Sequence, residues 1–271
     1  MSSESDRPPA PWSAALYSAV EGLGATLVAA VENLGGLAEL LVEVLRWTVR
    51  RPFRVNNILA QLDFVGVGSV FIVGLTGIFS GMVFAHQSWR AFEMFNAESL
   101  VGPTVSLTIT RELAPVFSAL MVTMRAGSAM CTELGTMRVT EQVDALETMA
   151  VNPIQYLLVP RVIAGAMMLP LLVMVFDLAG LGGGYFVAVT VKGLSAGTFL
   201  TRTQQWLDPE DLVEGLIKGT VFGLYVALVA CFRGYNATGG AKGVGQATTQ
   251  AMVSSALGIF VLDYLVGVLL H

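Results

Sequence analysis

Charge is scarce in this chain. Asp, Glu, Lys and Arg together make 13% of its 271 residues, about half of what a soluble domain carries, while hydrophobic residues make 54% and the mean hydropathy is +0.68. That excludes an ordinary water-soluble globule. Positive charge is scarcer still: 15 Lys and Arg against 20 Asp and Glu leave no basic face to neutralise a phosphate backbone, so no nucleic acid is expected as a partner. There are two histidines, His86 and His271, and two cysteines, Cys131 and Cys231, the cysteines inside apolar runs and without metal-ligand spacing. No metal site and no disulfide framework is expected from them.

Catalytic signatures are thin as well. H-E-x-x-H does not occur, and neither does G-x-x-x-x-G-K-[ST]. The glycine-rich stretch 239–245 (GGAKGVG), read as a loop, holds a lysine without the spacing or the Ser/Thr that would cradle a nucleotide phosphate. No cofactor is expected, and any energy this protein consumes comes from a partner.

What is abundant is long apolar sequence. Crossing hydrocarbon takes about 20 helical residues, and residues 64–85 contain no Asp, Glu, Lys or Arg. Four further runs qualify: 101–130, carrying Arg111, Glu112 and Arg125; 162–191, with Asp177 and a proline at 170 that favours a tilt or kink; 212–232, with Glu214 and Lys218; and 244–270, with Asp263. Five spans are predicted over 55–271. Before them, 1–11 is a polar, proline-rich lead that reads as disordered. Over 12–54, Leu23, Leu27, Val31, Leu34, Ala38, Leu41 and Leu45 recur at threes and fours between Glu21, Glu32, Glu39 and Glu43, ending in Arg46, Arg50, Arg51 and Arg54. That pattern predicts an amphipathic helix lying in the membrane interface. The fold class is therefore all-α and polytopic. The excess of Arg and Lys in the connections on the N-terminal side of the spans orients it N-in and C-out. Gly77/Gly81, Gly180/Gly184 and Gly215/Gly219/Gly223 put small residues on helix faces, for close packing within the bundle or against a second copy.

Two segments stand out chemically. Arg111-Glu112-Leu113-Ala114-Pro115 places two charges at membrane depth, where they persist only if they face a cavity or a partner. Adjacent helical residues point about 100° apart, so Arg111 and Glu112 reach different neighbours. Phe92 and Phe95, with Phe84 below, form either an interfacial aromatic belt or the apolar wall of a pocket beside Arg111. In the connection 140–153, Val143, Leu146 and Ala150 share one face of a short helix and Glu141, Asp144 and Glu147 another; it is a cap on the bundle or a docking element.

The RELAP run at 111–115, Arg125-Ala126-Gly127-Ser128, the 140–153 segment and the stretch 234–249 (GYNATGGAKGVGQATT) together resemble, over about residues 20–270, the MlaE-like permeases of bacterial ABC transporters that work with MCE-domain proteins. Ala114 stands where that family is expected to have glycine. The resemblance implies a permease that moves phospholipid between the inner membrane and a periplasmic MCE hexamer, in maintenance of outer-membrane lipid asymmetry. It further implies a homodimer, a cytoplasmic ABC ATPase that hydrolyses the ATP, and in some systems a STAS-domain subunit. It implies lipid contact at Phe84, Phe92, Phe95, Arg111, Glu112 and Leu113, and ATPase coupling through Glu141, Gln142, Asp144, Leu146 and Glu147. A passive scaffold for an envelope complex is the alternative.

Overall fold

The computed structural model describes residues 11–48, 50 and 55–270, with side chains in the first helix given for Val28 and from Val31 onward. All regular structure among these residues is helical. The lead expected at 1–11 lies outside them except for Pro11, as do Arg51 and Arg54 of the basic linker. Helix α1 (Pro11–Thr48) runs for 38 residues, about 57 Å at 1.5 Å per residue. Up to Val42 it is a unit by itself, and its Val28, Val31 and Leu34 are exposed.

From Glu43 onward the chain forms a second unit. Five of its helices are long and apolar enough to cross a membrane: Val55–Glu93, Glu98–Val139, Ile154–Val191, Pro209–Tyr235 and Gly240–Leu270. The first is broken at Gly66 into α2 (Val55–Val65) and α3 (Val67–Glu93). Next come α4 (Glu98–Val139), the short α5 (Gln142–Thr148) in the connection, and α6 (Ile154–Val191); α7 (Ala196–Trp206), α8 (Pro209–Tyr235) and α9 (Gly240–Leu270) complete the order. Each span is longer than its uncharged core because polar flanks such as Asn56, Asn57 and Gln61 continue the same helix. Pro170 lies inside α6. Two features depart from expectation. The stretch 239–245 is not a loop: Gly239 and Gly240 make the turn with φ of +86° and +67°, after which α9 runs on and seats Val244 against Gly135. Helix α7 carries no sequence signal strong enough to predict it, because Phe199, packed edge-on to Tyr185 at 5.5 Å, is its single buried residue. The run 193–197 (GLSAG) has the spacing of an esterase nucleophile elbow, but here Ser195 only begins α7, with no strand before it among the described residues.

The glycine motifs form seams within the chain. A Cβ on Gly81 would run into the backbone of Gly180, joining α3 to α6. One on Gly165 would lie 2.7 Å from the Gly223 carbonyl oxygen and from Ala227 Cβ, joining α6 to α8. With backbones this close, dispersion contacts replace the hydrophobic drive that lipid cannot supply. The bundle has two ends. One carries α5 and the 236–239 turn, and is called the α5 end; the other carries α7, the 94–97 connection and Leu270, and is called the C-terminal end.

Candidate functional site

Helix α4 is not α-helical throughout. Ile109–Leu113 and Thr123–Gly127 are wide π-helical turns, features that recur at functional positions because they re-aim side chains and loosen backbone pairing. Arg111 and Glu112 sit on the first. Arg111 reaches α8, where Nε donates to Asp211 Oδ1 at 2.6 Å and Nη2 lies 2.5 Å from the same oxygen. Asp211 is buried and doubly used, since its other oxygen accepts from the Asp208 backbone N–H at 2.9 Å in a capping box that starts α8. Glu112 turns the other way, to Lys218 Nζ at 2.9 Å.

Lys218 is the centre of the arrangement and is 0% exposed. Its Nζ donates to Glu112 Oε1 and to the Arg111 carbonyl oxygen, each at 2.9 Å, and lies 3.3 Å from Glu214 Oε1 and 3.3 Å from Asp263 Oδ1 of α9. Three spans thus converge on one ammonium. Counting the linked groups, two cations (Arg111, Lys218) face four carboxylates (Glu112, Asp211, Glu214, Asp263). Burying an ammonium at this depth is tolerable only because every donor has an anionic or carbonyl partner.

Beside the cluster lies an apolar groove of about 360 Å³, lined by Phe79, Val83, Phe84, Leu113 and Phe117 with Ser80 and Gln87. Phe117 stacks on Phe176 at 6.2 Å, which fixes its back wall. The expected lipid-contact residues are therefore divided. Phe84 and Leu113 share the groove. Arg111 lines a separate, acid-rich cavity of about 370 Å³ with Asp208, Glu210, Asp211 and Glu214, and Glu112 belongs to the lysine cluster. Phe92 and Phe95 line neither cavity, and Phe95 is 77% exposed beyond the end of α3. Sequence alone assigns no role to Lys218, Asp211, Glu214 or Asp263. The available signal is that spans 2, 4 and 5 each carry charge at membrane depth.

At the α5 end, Glu141 takes a left-handed conformation with φ +60° and heads α5. Val143 is the buried seat, Leu146 is half-buried, and Gln142 and Glu147 are exposed. Ala150, with φ +57°, falls beyond the helix. Asp144 is held by the chain's own Arg138 at 2.5 Å, and Arg138 also lies over the Tyr235 ring at 5.6 Å.

Five helices long and apolar enough to cross a membrane, with charge buried at Arg161, Asp177, Asp211, Glu214 and Lys218, define a multi-pass membrane protein. The chain belongs to the MlaE permease family, whose profile, Permease MlaE, matches residues 58–269. Among its relatives, a probable ABC transporter permease protein of Rickettsia bellii is 40% identical over 93% of this chain and 97% of its own length. The intermembrane phospholipid transport system permease protein MlaE of Haemophilus influenzae is 37% identical over 80% of this chain and 83% of its own. The chloroplast protein trigalactosyldiacylglycerol 1 of Arabidopsis thaliana is 39% identical over 77% of this chain and 60% of its own.

Proposed function

We propose that this chain is the membrane subunit of an ABC transporter that moves phospholipid between the inner membrane and a periplasmic MCE-domain hexamer, in maintenance of outer-membrane lipid asymmetry. The observation that carries the reading is an amphiphile-shaped juxtaposition on one helix: Leu113 in an apolar groove, and Arg111 and Glu112 of the same wide turn in a charged cluster. Acyl chains match the first and a headgroup the second. The Haemophilus relative is named for intermembrane phospholipid transport, which supports the same cargo.

In this reading two copies pair, and a cytoplasmic ATPase docks at the α5 end, with a STAS-domain subunit in some complexes. Arg138, Arg161, Arg233 and Lys242 cluster toward the α5 end against Arg90, Lys192 and Arg202 toward the other, which favours an N-in, C-out topology. Helix α1 then lies in the cytoplasmic interface, and Glu141, Gln142, Asp144, Leu146 and Glu147 face the ATPase while Val143 anchors α5. Motion of α5 is passed to α4, which the 140–141 turn joins to it, and so to the groove.

The test is purification of the tagged complex in mild detergent, with ATPase turnover and bound lipid measured together. Leu113→Asp should lower copurifying phospholipid severalfold with the ATPase still attached, and Leu146→Asp should release or uncouple the ATPase with the bundle intact. Unchanged lipid occupancy in the first variant and unchanged turnover in the second would overturn the reading in favour of a passive scaffold.

A further inference from the structure

Arg111, Lys218 and Arg161 each meet a carboxylate of the chain, Arg161 through Nη2 at 2.8 Å from Glu133 Oε2. Arg125, in the second wide turn of α4, does not. Among the described residues its partners are all neutral: Nη1 donates to the Phe64 carbonyl at 2.8 Å and to Ser69 Oγ at 3.2 Å, and the guanidinium lies over the Phe64 ring at 5.3 Å. These contacts hold α4 to the first span beside the break at Gly66, and they leave a full positive charge unmatched. The Nε–H and Nη2–H groups have no partner among the described residues. They are also open to the surroundings, since Arg125 is partly exposed and none of its unpaired nitrogens is sealed inside.

The surroundings say what would match it. The guanidinium sits where a side chain at position 68 would be, so a Cβ on Gly68 would run into it. Phe71, on the same stripe of α3 as Phe64 and Gly68, is 79% exposed, and Met124 of α4 is exposed as well. The charge-free run 64–85 is about 33 Å long as a helix, close to the hydrocarbon thickness of a bilayer, and Phe64 ends it on the α5 side. Arg125 therefore lies where hydrocarbon gives way to headgroups. An unmatched cation at that level, with exposed apolar side chains on its hydrocarbon side, suits an anion that carries its own apolar body. A soluble anion leaves Phe71 uncovered. Gly68 and Phe79 are about 17 Å apart along α3, roughly one leaflet's depth of acyl chain, so chains hung from Arg125 reach the Phe79–Phe117 groove.

We propose that Arg125 binds the phosphate of a phospholipid in the leaflet on the α5 side, with phosphate oxygens on Nε–H and Nη2–H over Gly68 and the acyl chains laid along Phe71. The site shares no residue with the lysine cluster or the groove, and it requires only that the spans sit in a bilayer. Failure of the transport reading leaves it standing.

The test puts the photo-cross-linker benzoylphenylalanine at position 71 of the full chain, in nanodiscs of phosphatidylglycerol doped with diacylglycerol of the same acyl chains, and identifies the lipid adducts by mass spectrometry. The reference is the same group at position 171 of α6. Leu171 is exposed and lies at the depth of Phe71, since Gly66 packs on Met168 and Gly77 on Phe176. The phospholipid-to-diacylglycerol ratio of adducts should be about tenfold higher at 71 than at 171, the order of one charge-assisted hydrogen bond. Arg125→Gln should erase that excess, and Arg125→Lys, which keeps the charge without the fork, should retain part of it. Because Arg125 also holds the break between α2 and α3, a second variant leaves it in place: Gly68→Ala displaces the guanidinium and should lower the excess severalfold. Equal ratios at the two positions in the otherwise unaltered chain, or an excess that persists in both folded Arg125→Gln and Gly68→Ala, would mean that Arg125 only clamps the helix break, and would overturn the proposal.

Discussion

The two ends of the bundle solve the same problem, a buried cation, in opposite ways. At the C-terminal end Lys218 is enclosed by carboxylates from α4, α8 and α9, and Glu214 and Asp263 are themselves largely buried, with side chains 9% and 19% exposed. At the α5 end Arg161 is nearly as buried, yet its partner Glu133 keeps 57% of its side chain open. The first is a network in which removing Lys218 strands two buried carboxylates, Glu214 and Asp263, and only Glu112, with 52% of its side chain open, can hydrate. The second is an anchored cation whose counter-charge can hydrate by itself. Cost on disruption follows the burial of what is left behind, not of what is removed.

That contrast can be broken by substitution. The largest effect should come from Lys218→Met, which abandons buried carboxylates and should cost about 3–5 kcal/mol, read as a lowered unfolding midpoint in detergent; a loss under about 1 kcal/mol would mean that the cluster is not a network. Next is the seam between the ends. Gly165→Leu inserts a side chain where even a Cβ sits 2.7 Å from the Gly223 carbonyl and should cost about 1–3 kcal/mol, by the same measurement. Arg161→Met should cost less than Lys218→Met, about 1–2 kcal/mol, since Glu133 is free to hydrate; equal costs for the two would erase the distinction between the ends. Smallest should be Asp144→Asn, which breaks an exposed pair with Arg138 and should change stability by under about 1 kcal/mol, with whatever change there is fading further in high salt.

Much of this is legible in the sequence because lipid permits few solutions. A run such as 64–85 has one inexpensive conformation in hydrocarbon, so the existence and order of the spans follow from composition. The separate destinations of Arg111 and Glu112 follow from helical geometry alone. Their partners do not, because Asp211 and Lys218 lie about a hundred residues away on another helix and nothing local marks the pairing. The wide turns are equally hidden, since a span that is apolar on most of its faces has too weak a periodicity to register the phase shift of one extra residue. Spacing groups Phe92 and Phe95 with Phe84, but Phe92 is about two helical turns from Phe84 along α3 and Phe95 lies past its end, so of the three only Phe84 lines the groove. Residues 239–245 mislead because glycines that usually mark loops here serve first a tight turn and then a crowded helix.

The wide turns of α4 also act on the phase of the helix. Each holds one residue more than an α-helical turn, and one residue is worth about 100° of rotation. Ile109–Leu113 and Thr123–Gly127 therefore set the rotational angle of everything before and between them. Deleting one residue from the first, so that it closes to ordinary α geometry, would swing the Val101–Thr108 segment through more than a quarter turn. That would carry Gly102 away from Phe199 of α7 while leaving α4 continuous and its hydrophobicity unchanged. Chain length within two five-residue windows is thus an angular setting for the second span, and a one-residue insertion or deletion there is a rotation rather than a break.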